Sequence, residues 1–237
     1  MAINDIRLDS EILNDVVLWD TKNWSNAIYF WLAHTQYDTL SDKKCLEIGA
    51  REGCLSLLLA YLGCEKIVCS DLMNPREIAL KVHEKYPFAK ARILYESVDC
   101  LKIPYHDESF DIVTFKSVLG SLGLYENQIM SLKEIYRVLH YGGELWFAEN
   151  LRASRLHQVF RKAFVRWAQR WYYPSVQEII GGLTHSGFKE IEFRVYGFFA
   201  PFGYFEFFRS ALATLDRVLD KHLPEEWKYI AFIVARK

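Results

Sequence analysis

Residues 46–60 read LEIGAREGCLSLLLA, and this stretch decides the fold. A short apolar run, Lys44–Ile48, ends in Glu47-Ile48-Gly49. The chain then turns through Gly49 and Gly53 into the unbroken apolar run CLSLLLA. A run this short before glycines reads as a buried strand, and the run after them as a buried helix. Glycine belongs where a backbone turns tightly or approaches a ligand closely. A strand–glycine turn–helix unit occupies the nucleotide crevice of an open α/β sheet. The spacing is G-x-x-x-G, not the G-x-G-x-x-G of dinucleotide binders, so a nicotinamide-dependent oxidoreductase is the least favoured reading. A glycine pair alone is equally consistent with a plain tight turn.

The flanking sequence repeats the alternation. Strands are expected at 66–70, 91–96, 110–115 and 144–149, with helices at 53–60, about 75–85 and 126–139. Ile129, Leu132, Ile135, Tyr136 and Leu139 recur at helical spacing, and Gly142-Gly143 ends that helix. The Trp-rich segment 10–35 reads as helices covering something. Beyond 150 the pattern predicts helices at about 153–171, 175–186 and 208–221, strands at 188–195 and 227–236, and an aromatic loop at 197–208. Alternation of this kind predicts a parallel sheet with helices on both faces. Asp71 and Asp99 follow the second and third strands. One such acid is usually a helix cap; acids after three successive strands on one sheet edge point to a bound ligand.

LEIGAREG (46–53), CSDL (69–72), SVDCLKIPYHDESFDIVTFKSVL (97–119) and LKEIYRVLHYGGELWFAEN (132–150) together resemble class I S-adenosylmethionine-dependent methyltransferases of the type 11 kind. The resemblance spans roughly residues 43–150. It implies a Rossmann-like seven-stranded sheet with an antiparallel last strand, and S-adenosylmethionine as cofactor. It places Glu47 and Gly49 at the methionine end, Ala50 and Gly53 in the cofactor-binding turn, Asp71 on the ribose, Leu72 against the adenine, Asp99 and Cys100 at the adenine amine, and Lys116 and Ser117 near the sulfonium. Many relatives have glycine where this chain has Arg51. That side chain would pair with the cofactor carboxylate or simply point to solvent. No zinc spacing or paired-acid metal set stands out, so no metal is expected. The chain reads as one domain: a helical cap (1–42), a cofactor-binding core (43–150) and acceptor-site helices with the last strands (151–237).

Methyl transfer to a hydroxyl needs positioning, exclusion of water and removal of a proton. His157, just past the fifth strand, is the expected base. Glu149 and Asn150 are expected to bind the acceptor, with Glu149 alternatively a helix cap. Residues 152–171 carry Arg152, Arg155, Arg161, Lys162, Arg166 and Arg170 and no acid. On one helix, Arg155, Lys162, Arg166 and Arg170 share a face, opposite Leu156, Phe160, Phe164, Trp167 and Trp171. Such a stretch would meet an anionic membrane, a phosphate-bearing substrate or RNA, or be a solvated face over a buried one.

The composition narrows the classes. The 237 residues are 51% hydrophobic and 16% aromatic, which excludes a disordered chain. With 29 Lys plus Arg against 30 Asp plus Glu, no general affinity for nucleic acid is expected. Its 5 Cys lack C-x-x-C spacing, and the N-terminus MAINDIRLDSEILND does not read as a signal peptide. A cytoplasmic setting, at or near the inner membrane face, is expected. A looser resemblance of WDTKNW, FKSVLGSLG and WKYIAFIVARK to methyltransferases of bacterial surface-polysaccharide clusters implies O-methylation of a sugar-type hydroxyl, with a small-molecule or glycan acceptor. The alternatives are N- or O-methylation of another small molecule, or a catalytically silent cofactor-binding subunit.

Overall fold

The computed structural model describes residues 3, 6–89, 92–165, 170–203 and 205–237. Seven strands form one sheet in the order β3-β2-β1-β4-β5-β7-β6. They are β1 (Lys44–Ile48), β2 (Lys66–Asp71), β3 (Ile93–Ser97), β4 (Phe110–Lys116), β5 (Leu139–Asn150), β6 (Glu190–Tyr196) and β7 (Ile230–Arg236). β1 to β5 pair in parallel, and β7 runs antiparallel between β5 and β6. The expected Rossmann-like seven-stranded sheet is therefore present, antiparallel last strand included.

The helices are α1 (Ser10–Val17), α2 (Thr21–His34), α3 (Cys54–Tyr61), α4 (Arg76–His83), α5 (Tyr125–Val138), α6 (Arg155–Phe164), α7 (Val176–Ser186) and α8 (Glu206–Leu219). Strand period sorts the core into two layers. Along β7, Ile230, Phe232 and Val234 pack with α1, α2 and α3 residues such as Val16, Trp31 and Leu58. Ala231, Ile233 and Ala235 point the other way, toward Leu132, Ile135 and Leu183 of α5 and α7. Because both faces are covered, β1, β2 and β4 read as continuous apolar runs rather than alternating ones. α3 lies under α1 and buries every residue from Cys54 to Ala60, which explains its all-apolar sequence.

Local signals set several ends. Asp9 accepts from the Ile12 amide at the start of α1, and Ser175 with Glu178 forms a capping box at the start of α7. Gly187, at φ +113°, stops α7 where a β-carbon would strike the Tyr136 ring. β5 begins directly after α5, earlier than the expected 144, and its register with β4 shifts between Phe110 and Ile112. The largest departure lies at 153–171. The described helix there ends at Phe164, capped by Val165, and Arg166 and Trp167 lie outside the described residues. Arg170 and Trp171 therefore do not continue a described helix. Of the alternatives open for this stretch, a buried apolar face does not match α6: Leu156 and Phe164 are exposed, and His157 is the residue of this helix that is buried.

Candidate active site

The carboxyl ends of β1, β2 and β4 meet beside the glycine turn. Gly49 and Gly53 both adopt the left-handed region, at φ +63° and +72°. A β-carbon on Gly49 would stand 2.6 Å from Val118 Cγ2, and one on Gly53 2.6 Å from the His83 ring. His83 fixes the turn from below: its Nε2 donates to the Gly53 carbonyl (2.7 Å) and its Nδ1 accepts from the Tyr95 hydroxyl (2.7 Å). Burial lowers the His83 pKa, in keeping with a neutral ring. The sequence reading missed His83, whose partners lie on two other elements.

Asp71 ends β2 half-buried at the rim of this turn. Its Oδ2 accepts from the Arg51 amide (3.0 Å) and its Oδ1 from the Leu72 amide (2.7 Å). Each oxygen keeps a lone pair for a further donor. Ala50 is buried beneath, its amide on the Ser70 carbonyl (2.8 Å). Next to Asp71, Leu72 and Met73 are 70% and 81% exposed, an apolar surface beside an acid. Asp99 is exposed after β3, with Oδ1 accepting from Leu101 N (2.9 Å), and Cys100 is buried behind it.

Glu47 does not face this crevice. It is 3% exposed, and both oxygens are taken by α3: Oε1 by Leu55 N (3.0 Å), Oε2 by Ser56 N (2.7 Å) and Ser56 Oγ (2.6 Å). Burial pushes its pKa up to about 7, against the pull of those donors. Its expected contact with the methionine end is thus replaced by shaping of the loop that would make it. Arg51 is a surface side chain, 77% exposed and paired with Glu52 (3.3 Å) at φ +48°. Its backbone, rather than its guanidinium, supports Asp71.

Lys116, at the end of β4, is covered by the cap. Its Nζ donates to the Val17 carbonyl (2.5 Å) and sits 5.2 Å from the Trp24 ring centre. Burial lowers its pKa. Val16, Val17, Trp24, Leu55 and Lys116 line a small cavity there, and Trp24 Nε1 is buried without a hydrogen-bond partner. Such an orphan donor is costly unless a ligand or water satisfies it. Ser117, at φ +58°, accepts from Asn150 Nδ2 (2.9 Å), so these two expected site residues are together.

The acceptor side is less as expected. Glu149 is fully buried; its Oε2 accepts from Leu119 N (2.7 Å) and its Oε1 from Asn150 N (2.9 Å). Burial raises its pKa to about 7. It holds the 119–122 turn after β4 and does not cap the helix that follows β5, whose N-cap is Ser154. Above that turn stands an aromatic wall: a β-carbon on Gly120 would meet the Trp171 ring at 3.2 Å, Tyr172 N donates to the Gly120 carbonyl (2.9 Å), and Trp171 and Tyr173 are 6.0 Å apart. A separate open pocket of about 270 Å³ begins one residue beyond Asn150, between the starts of α6 and α7 and residues 225–228.

His157 corrects the sequence reading most sharply. It is 1% exposed, its Nε2 donates to the Phe198 carbonyl (2.8 Å), and its Nδ1 meets Ser154 Oγ (2.8 Å). Phe198, Phe202 and Tyr229 enclose the ring. Burial lowers its pKa to about 4. With both nitrogens engaged inside the protein, it latches α6 to the aromatic turn and has no free edge for an acceptor proton. A second buried network does similar work. Asp216 accepts from the amides of Phe198, Phe199 and Ala200 and from Asn23 Nδ2, which also reaches the Tyr229 hydroxyl. It ties the cap to α8 and β7 across nearly the whole chain, and no local pattern announces it.

Residues 46–147 match the family described as a methyltransferase domain. A demethylmenaquinone methyltransferase of Porphyromonas gingivalis is 29% identical over 124 residues, 44% of this chain and 49% of that protein. This chain thus spans about half the length of that curated relative. The fold of this chain recurs in solved structures. An S-adenosylmethionine-dependent methyltransferase of Methanosarcina mazei superposes with a TM-score of 0.60 at 18% identity, covering 83% of this chain and 93% of the other. The phosphoethanolamine N-methyltransferase 2 of Haemonchus contortus, solved with phosphomonomethylethanolamine and S-adenosylhomocysteine, gives 0.62 at 16% identity, covering 90% and 52%. Among the described residues, no three His, Cys, Asp or Glu side chains are placed to hold a metal ion.

Proposed function

We propose that this chain is an S-adenosylmethionine-dependent methyltransferase acting on a small-molecule acceptor. The observation that carries it is the rim around Asp71: a glycine turn too tight for side chains, an acid with a lone pair left on each oxygen, and exposed Leu72 and Met73 beside it. These groups suit a nucleoside: the carboxylate takes ribose hydroxyls, the apolar pair takes a base face, and Asp99 takes an exocyclic amine. The cofactor supplies a methyl group on a good leaving group, so the protein's part is positioning and exclusion of water. The cap does the second: α1 and α2 close over the end of β4 through Lys116 and Val17.

The acceptor is proposed to lie against the Trp171–Tyr173 wall, with Ser117 and Asn150 as polar contacts. A sugar-type hydroxyl is the first acceptor class, on the strength of the sequence layout. A quinol-type ring is the second, favoured by the aromatic wall and by the similarity to a demethylmenaquinone methyltransferase. Incubation with methyl-labelled S-adenosylmethionine and three pools (nucleotide sugars, glycan extract, lipid extract) tests both. Label in the aqueous pools supports the sugar reading and label in the lipid pool the quinol reading. No turnover in any pool, with cofactor binding intact, leaves a silent cofactor-binding subunit and overturns the enzyme assignment.

A further inference from the structure

Two amphipathic helices leave their apolar sides uncovered. On α6, Val159 and Phe164 are each 67% exposed; on α8, Phe207 is 80% exposed, with Phe208 and Val218 close to 60%. A soluble helix normally turns this stripe inward. The two helices belong to one surface. The turn at 200–202 bridges them, with Phe202 on Phe160 of α6 (5.2 Å) and Gly203 packed against Arg209 of α8. Exposed apolar surface gathered in this way marks a binding face.

The charges around it select the partner. Among the described side chains of α6 and α8, every exposed charged group is a cation: Arg155, Lys162 and Arg217. Of the acids of α8, Asp216 is buried and spent on backbone amides, and the Glu206 side chain lies outside those described. Bulky apolar side chains ringed by cations are what an anionic lipid surface accepts, apolar groups in the acyl boundary and cations at the headgroups. No helix among the described residues is long and apolar enough to cross a membrane, so the contact is lateral.

We infer that the α6–α8 face docks this protein onto an anionic membrane surface. The face adjoins the site. Arg209 lies 5.7 Å over the Trp19 ring, and Lys22 donates to the Ser210 carbonyl, so α8 holds the turn between α1 and α2. That turn follows Val17, whose carbonyl receives the Lys116 amine. Docking therefore places the edge of the cap, and the crevice beneath it, at the lipid surface. The inference is independent of which acceptor is methylated.

Co-sedimentation of the full chain with phosphatidylcholine vesicles, with and without phosphatidylglycerol, tests it. Wild type is expected to bind the anionic vesicles at low salt and to release at high salt. Each cation near such a surface contributes about fivefold, so Lys162→Gln with Arg217→Gln should weaken binding roughly twenty-five-fold. Phe207→Ser with Phe208→Ser should abolish it, with thermal unfolding and S-adenosylmethionine affinity unchanged. Absence of wild-type binding to anionic vesicles at low salt overturns the inference. So does a Phe207→Ser, Phe208→Ser variant that still binds vesicles while passing from dimer to monomer in solution, since the face would then join two copies of this chain.

Discussion

Replacing His157 by Gln separates a buried latch from a base. The ring is enclosed by Phe198, Phe202 and Tyr229, and both nitrogens are bonded within the protein. Burial holds its pKa near about 4, against an ordinary value of 6.5. A depressed histidine pKa means that the fold prefers the neutral ring. The stability this gives is complete above pH 6.5 and is lost as pH falls toward 4. One pH unit corresponds to about 1.4 kcal/mol, so the full window is worth about 3 kcal/mol. Urea unfolding followed by tryptophan fluorescence across that window should show wild type losing stability more steeply on acidification than His157→Gln. At neutral pH the variant should be weaker by about 1–3 kcal/mol, the cost of disturbing two buried hydrogen bonds. Methyl transfer by the folded variant should keep the shape of its pH profile. Parallel stability curves, or a variant of unchanged stability whose turnover falls by 10²–10⁴, would refute the latch.

Asp71→Ala should weaken S-adenosylmethionine binding at least tenfold by calorimetry, since hydrogen bonds to a charged group are worth about 1.5–3 kcal/mol each; unchanged affinity removes the proposed ribose site. Gly49→Ala forces a side chain into φ +63° with a β-carbon 2.6 Å from Val118; stability should fall by about 1–3 kcal/mol and cofactor binding with it, and a wild-type melting temperature would contradict the tight turn. Glu47, raised to about 7, favours the fold most when protonated: its contribution is present below pH 4.5 and is lost as pH rises through about 7. Glu47→Gln, neutral throughout, should therefore lose less stability than wild type between those limits, as measured by chemical unfolding.

The parts of this chain that could be read from its sequence are those written in local periods. The five parallel strands alternate with helices, and each short apolar run found its place. The glycine turn was legible because a left-handed backbone demands a particular residue. The readings that failed depended on partners far along the chain. The segment 152–171 keeps its basic–apolar rhythm to Trp171, but the described helix stops at Phe164. Pro174 disfavours helix at Tyr173, and Tyr172 is drawn out to the Gly120 carbonyl and to Gln128 Nε2. His157 looked like a base because it follows a strand. Its bond to the Phe198 carbonyl, 41 residues on, gives it another task.

The two buried glutamates show why an acid at a strand end is ambiguous. Glu47 and Glu149 sit at the ends of β1 and β5, on the crevice side, where sequence alone suggests ligand contacts. Each instead turns inward. Glu47 gathers the Leu55 and Ser56 amides that open α3, and Glu149 gathers the Leu119 amide after β4 and the Asn150 amide beside it. Both are driven toward neutrality by burial, against the pull of these donors. Their cost is justified by what they fix: two irregular segments that a packed apolar core could not hold, because their amides would go unpaired. The acids left with open lone pairs, Asp71 and Asp99, lie farther toward the β3 edge of the same sheet. The crevice thus divides its carboxylates by exposure, with buried ones shaping the loops and accessible ones left open for the proposed cofactor. Exposure, more than position in the sequence, assigns each acid its role.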